Sequence, residues 1–136
     1  MKWNPYIFFG GNCREAFEFY QKALGGKIVA MSTHGETPAA DHISPDWRDK
    51  IIHARLVAGD KVLMGSDAPP DRYARAQGFN VNVSVDDSGE ADRVFSALAE
   101  GGTVIMPIGE TFWAVRFGML TDKFGIGWMV NCEKSR

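Results

Sequence analysis

The feature that most constrains this chain is an internal repeat. Ala16, Phe19, Tyr20 and Ala23 fall at i, i+3, i+4 and i+7, one buried helical face, and Ala91, Val94, Phe95 and Leu98 reproduce that face 75 positions later. A Gly-Gly pair closes each helix, Gly25-Gly26 and Gly101-Gly102, with one residue of slip. Ile28-Val29 and Val104-Ile105 then open a strand. Each half ends in a hairpin pattern: Arg55, Asp60-Lys61 and an apolar run to Met64, then Arg116, Asp122-Lys123 and an apolar run to Val130. The longest stretch of this kind, Glu110 to Glu133, sets Asp122 and Gly125 in its turn, where Asp bonds its own backbone and Gly supplies a positive φ. The order read twice is βαβββ, over residues 1–66 and 78–133, and neither half buries its apolar face alone. We therefore expect an α+β fold, one domain over 1–136 made of two modules, in preference to two unrelated halves.

Taken in order, Tyr6–Phe9 predicts a strand, and Asn12 with Glu15 three residues later predicts a capped helix start. Lys27–Ser32 predicts a second strand, and 34–49 a long loop able to act as a lid. Ile51–Val57 and Lys61–Ser66 predict a hairpin, 67–77 a linker, Phe79–Val85 a strand and Asp86–Ser88 the second helix start.

Composition narrows the function. A net charge of -2 without a basic run gives no electrostatic footprint for nucleic acid. No apolar run approaches the roughly 20 residues of a membrane span, and the N-terminus lacks a signal-peptide layout. Two cysteines, Cys13 and Cys132, make no disulfide framework, so free thiols in a cytoplasmic protein are expected. No Gly-rich nucleotide loop follows a parallel strand, and no cofactor is implied.

The segments Asn4-Pro-Tyr6, Ala16-Phe-Glu-Phe-Tyr20, Leu63-Met-Gly-Ser-Asp67 and Glu110-Thr-Phe-Trp113, with Phe117-Gly118 through Asn131, carry a resemblance. By them the chain resembles the vicinal oxygen chelate superfamily of glyoxalase, bleomycin-resistance and ring-cleaving dioxygenase proteins, and within it the PhnB-like group. The resemblance implies two βαβββ modules whose mostly antiparallel sheets curl into a cup, helices outside and ligand within. It also implies a homodimer, since an open sheet edge must be covered. Some relatives are described as 3-demethylubiquinone methyltransferases, a reaction the missing nucleotide loop argues against. Metal-dependent relatives hold a divalent ion at four places that correspond to Pro5, Met64, Asn80 and Met129 here. Proline has no donor atom and methionine sulfur suits hard ions poorly, so no metal is expected. A glyoxalase-type lyase or isomerase, or a dioxygenase-like enzyme, survives only with non-standard metal ligands.

What fills the cup is then read from side-chain alternation. In Asn80-Val-Asn-Val-Ser-Val85 the valines are expected on the helix side and Asn80, Asn82 and Ser84 in the cup. The same offset sends Tyr6 and Phe8 to the helices and Pro5, Ile7 and Phe9 to an apolar cup floor with Met64 and Met129. Arg55 and Arg116, matched through the hairpin pattern, are expected to point inward, Arg116 serving as a fork for a carboxylate or phosphonate. Trp113, with Phe112 and Phe117, is a candidate ligand wall. Glu110 and His53 are weak candidates for a general base. His34, Glu36, Asp41 and His42 have no standard metal spacing, and Cys13 at a helix start reads as an idle thiol before a reactive one. The expected activity is metal-free binding of a small, anionic or polar-tailed molecule.

Overall fold

A computed structural model describes residues 1–134. It consists of two compact units, Met1–Ala74 and the residues from Arg75 onward. The first runs β1 (Tyr6–Phe9), α1 (Cys13–Leu24), β2 (Lys27–Thr33), β3 (Ile51–Ala58) and β4 (Lys61–Asp67). The second runs β5 (Val81–Ser84), α2 (Ser88–Ala99), β6 (Thr103–Gly109), β7 (Ala114–Thr121) and β8 (Gly127–Glu133). The sheets have the orders β1-β4-β3-β2 and β5-β8-β7-β6. In each, the first strand is parallel to the last and the other pairings are antiparallel. This is the α+β, twice βαβββ architecture that the repeat implies. The segment expected to be an irregular loop forms three single 3-10 turns, His34–Glu36, Ala40–His42 and Pro45–Trp47.

Each helix seals one face of its own sheet. In the first unit Ala16, Phe17, Tyr20 and Ala23 are buried with Ile7, Phe9, Ala54 and Leu56. The Phe9, Phe17 and Tyr20 rings lie 6.0–6.4 Å apart. Phe19, expected in that face, is only half-buried, and Phe17 takes the core position instead. In the second unit the expected Ala91, Val94, Phe95 and Leu98 are all buried, with Leu120, Trp128 and Val130. Helix and sheet approach closely at one glycine in each unit. A Cβ on Gly65 would stand 2.7 Å from Phe17, and one on Gly118 would stand 2.6 Å from Phe95.

Two buried aspartates organise the chain locally. Asp67 Oδ1 accepts from the backbone N–H of Gly11 (2.9 Å) and Cys13 (3.0 Å), and its Oδ2 from that of Ile51 (2.8 Å). Asp67 thus ties the start of α1 to β3 and β4. The expected cap, Asn12, makes no side-chain bond to the helix; the first helical N–H, that of Cys13, is instead satisfied by the distant Asp67 carboxylate. Asp122 Oδ1 accepts from Phe124 N–H (2.8 Å) and Ile126 N–H (3.0 Å), and its Oδ2 from Trp128 Nε1–H (2.8 Å). The β7–β8 turn is built on that side chain, as the sequence implies. The α2 start is capped by Asp87, which accepts from Glu90 N–H at 2.9 Å.

Candidate functional site

The sheet face opposite each helix is where polar and aromatic side chains remain available. In the first unit the register sets Tyr6 opposite Met64 and Met64 opposite Arg55. Directly paired residues share a face, so these three lie together, with Phe8 and His53 on the same side by alternation. Tyr6 and Phe8 are exposed and their rings stand 5.2 Å apart. Tyr6 Oη lies 3.4 Å from His53 Nδ1. Arg55 is half-buried and has no acidic partner among the described residues. Its Nη1 lies 4.0 Å from Met64 Sδ.

This corrects the expected cup floor. Ile7 and Phe9 are 2% and 1% exposed and belong to the core under α1, whereas Tyr6 and Phe8 face away from it. The cause is one residue of slip between β1 and β5 relative to the helices. Val81 pairs with buried Trp128, as Ile7 pairs with Gly65 beneath Phe17. A one-residue shift inverts every side chain of a strand.

In the second unit the open face carries Asn82, Ser84 and Met129, with Asn82 opposite Met129 and Ser84 opposite Asn131. Asn82 Nδ2–H donates to Ser84 Oγ at 3.1 Å. Asn80 precedes β5 and its Oδ1 lies over Gly127, so Asn82 takes the place opposite Met129 that Asn80 was expected to hold. Phe117 is opposite Asn131 on β7. Trp113 meets Phe117 edge to face at 5.2 Å and Phe112 at 4.8 Å.

Arg116 is not on this face. Its Nε–H donates to Asp92 Oδ1 at 2.7 Å, and Asp92 lies on α2. Its register partner is buried Cys132. With Gly118 under Phe95, residues 116 and 118 share the helix side. The expected inward fork is therefore a half-exposed ion pair on the helix-covered side.

Other candidates resolve by their surroundings. Glu110 is not buried beside Trp113; it is exposed and pairs with Lys134 Nζ at 3.2 Å. His34 is buried and its Nε2–H donates to the Asp67 carbonyl at 3.1 Å. Glu36 accepts from Thr33 N–H and Oγ1–H, each at 2.9 Å, and those bonds, the backbone one foremost, hold its carboxyl below the usual range. Asp41 and His42 are exposed. Among the described residues no three His, Cys, Asp or Glu side chains gather as a metal site. The paired positions Tyr6 and Met64, and Asn82 and Met129, offer neither imidazole nor carboxylate, a donor set that does not fit a divalent ion. Cys13 is fully buried, and burial, with the Asp67 charge second, pushes its thiol well above the ordinary range. That is the opposite of an activated nucleophile.

The model of the Glyoxalase/Bleomycin resistance protein/Dioxygenase superfamily matches residues 2–130. The chain belongs to this superfamily. Protein YjdN of Escherichia coli (strain K12) is 37% identical over 147 residues, covering 100% of this chain and 98% of that one. The crystal structure of protein PA1353 from Pseudomonas aeruginosa superposes with a TM-score of 0.90 at 51% identity, over 99% of each chain. A Bacillus cereus protein named putative 3-demethylubiquinone-9 3-methyltransferase, PhnB protein, superposes with a TM-score of 0.80 at 26% identity, over 97% of this chain and 99% of that one. The superfamily member thus has a PhnB-like structural neighbour, and no helix among its described residues is long and apolar enough to cross a membrane.

Proposed function

We propose that this superfamily member is a small-molecule-binding protein that takes an organic anion, a carboxylate or phosphonate, on the open face of its first unit. The observation that carries the reading is Arg55, a half-buried guanidinium without an acidic partner among the described residues, beside Met64 and Tyr6. A planar fork of donors suits an oxyanion bidentately. Tyr6 and Phe8 supply exposed ring surface on which the body of such a ligand loses water. No metal or cofactor enters this reading.

Phenylphosphonate, with its diethyl ester as the neutral control, tests it by titration calorimetry. We expect saturable binding of the acid, at least about tenfold weaker binding of the ester, and loss of that preference in Arg55→Met, since charge-assisted bonds are worth about 1.5–3 kcal/mol each. Equal binding of acid and ester would overturn it.

The approach of Tyr6 to His53 favours a second reading, in which the same face moves a proton on the bound anion. Enzyme-dependent exchange of solvent deuterium into phenylpyruvate, abolished in Tyr6→Phe, would select it; exchange at the buffer rate would exclude it.

Three broader features complete the proposal. Both repeats are read as one domain, because the family match runs across both units. A homodimer is supported by β6, an edge strand with Val104, Ile105 and Met106 all exposed, since an apolar edge left open invites pairing. Light scattering is expected to give twice the 15.0 kDa chain mass. A cytoplasmic location is supported by two free, buried cysteines.

A further inference from the structure

One transverse row of the second sheet repeats a single donor, the thioether. The register sets Met106 on β6 opposite Met119 on β7, and Met119 opposite Met129 on β8. Directly paired residues share a face, so the three methionines stand side by side on the face that α2 does not cover. Met119 and Met129 are half-buried and Met106 is 43% exposed, so solvent reaches all three. A bulge completes the row. From Val104, opposite Leu120, to Met106, two steps along β6 accompany one along β7, and Met106 rather than Ile105 stands beside Met119. Re-aiming a side chain is what such bulges do. The first unit has the same bulge at Val29, but its row reads Ala30, Arg55, Met64 and Tyr6, one thioether beside a cation. In the second unit Asn82 ends the row. The next positions on this face are Phe117 and Thr121 along β7, Asn131 and Gly127 along β8, none of them charged. Beyond Thr121 the turn carries Asp122, whose oxygens hold three N–H groups, and exposed Lys123. The Glu110–Lys134 ion pair is at the opposite end of β7, beyond Phe117.

We propose that this row is a binding site for a soft monovalent metal ion, copper(I) or its analogue silver(I), held by the three thioether sulfurs. Thioether sulfur is a neutral, polarisable donor that selects such ions, whereas magnesium and calcium take oxygen and zinc takes thiolate or imidazole. Residues that suit a divalent ion poorly are therefore the ones that suit this ion. Paired Cβ atoms stand roughly 4.5–5.5 Å apart, so the outer two are about 9–11 Å apart and their sulfurs must lean over Met119. An unbranched side chain with three rotatable bonds allows that movement. The row contains no cation to repel the ion, as Arg55 would in the first unit. Pairing of β6 with a second copy runs through backbone groups and leaves the row on its sheet face. None of the three methionines serves the anion reading, so the site stands or falls separately from it.

Silver(I), which keeps its oxidation state in air, is titrated into intact protein whose six methionines carry carbon-13 methyl groups, read by NMR. We expect the Met106, Met119 and Met129 signals to move together and saturably, while those of Met1, Met31 and Met64 stay still. Zinc(II) should move none of them. A thioether has no proton to lose, so the silver affinity read from those signals should be equal at about pH 5 and about pH 7, unlike that of a thiolate or imidazole site. Met119→Leu, close in volume, should keep the fold and lose at least about tenfold in affinity, as even the outer partners of metal ligands are worth that much. Met31→Leu should change nothing. Silver that binds without moving the three signals, as it would at Cys13 or Cys132, overturns the proposal. So do equal shifts at all six methionines, shifts caused by zinc(II), affinity that rises with pH, or undiminished binding in Met119→Leu. If that variant does not fold, the methyl shifts of the unaltered protein decide alone.

Discussion

The two repeats carry the same hairpin words with different chemistry. Asp60-Lys61 of the first is an exposed ion pair at 2.8 Å on a surface turn. Asp122 of the second is buried and holds three N–H groups, while Lys123 is exposed. Arg55 sits on an open sheet face without an acid, and Arg116 sits on the helix side in the hands of Asp92. Through strand pairing the counterpart of Arg55 is Met119: Arg55 meets Met64, which meets Tyr6, and Met119 meets Met129, which meets Asn82. A repeat seen in letters is therefore not a repeat in register. The long segment between β2 and β3 and the differing hairpin turns change the offset from strand to strand.

The largest effects should come from the buried aspartates. Asp67→Ala leaves two buried N–H groups and one half-buried one without an acceptor and is expected to cost about 3–5 kcal/mol, with Asp122→Ala close behind, both read by urea unfolding. Asp60→Ala should leave the midpoint unmoved, because its carboxylate is in water. A large loss at Asp60, or none at Asp122, would erase the contrast between the turns.

Next in size are the glycines under the helices. Gly65→Ala and Gly118→Ala each drive a methyl group into an aromatic ring, Phe17 or Phe95, and should destabilise by about 1–3 kcal/mol. Gly65 is on β4 and Gly118 on β7, so similar losses would show that the two units solve one packing problem from different strands. Loss at only one would separate them.

A smaller effect is expected in alkaline solution. The folded state holds the Cys13 thiol neutral, whereas the unfolded thiol ionises above about pH 8.5. The unfolded state then binds fewer protons than the folded one, so stability falls as pH rises past that value. Cys13→Ala should flatten this limb by up to about 1.4 kcal/mol per pH unit. An unchanged slope between pH 8 and 10 would place the alkaline sensitivity elsewhere.

Much of the fold could be read from the letters, because amphipathic period and turn chemistry are local. The α2 face, the strand at Tyr6–Phe9 and the Asp122 turn follow from residues within a few positions of one another. What could not be read depends on register and distant partners. Asp67 replaces Asn12 as the helix cap from 54 residues away along the chain. The facing of β1 turned on a single residue, which sent Ile7 and Phe9 to the core and Tyr6 and Phe8 outward. Arg116 was misplaced because its alternation with Gly118 leaves room on either side of a sheet, and only the approach of α2 puts Asp92 there. Met129 was placed on the cup floor from its letters, but the row it forms with Met119 and Met106 is a property of register.

The most direct test sets the two arginines side by side. Phenylphosphonate is titrated against the unaltered protein, Arg55→Met and Arg116→Met, with a melting curve for each. Arg55→Met is expected to keep its melting temperature and lose at least about tenfold in affinity, while Arg116→Met, losing one half-exposed ion pair, keeps its affinity and gives up about 0.5 kcal/mol of stability or less. Weakened binding in Arg116→Met with Arg55→Met unaffected would contradict the account.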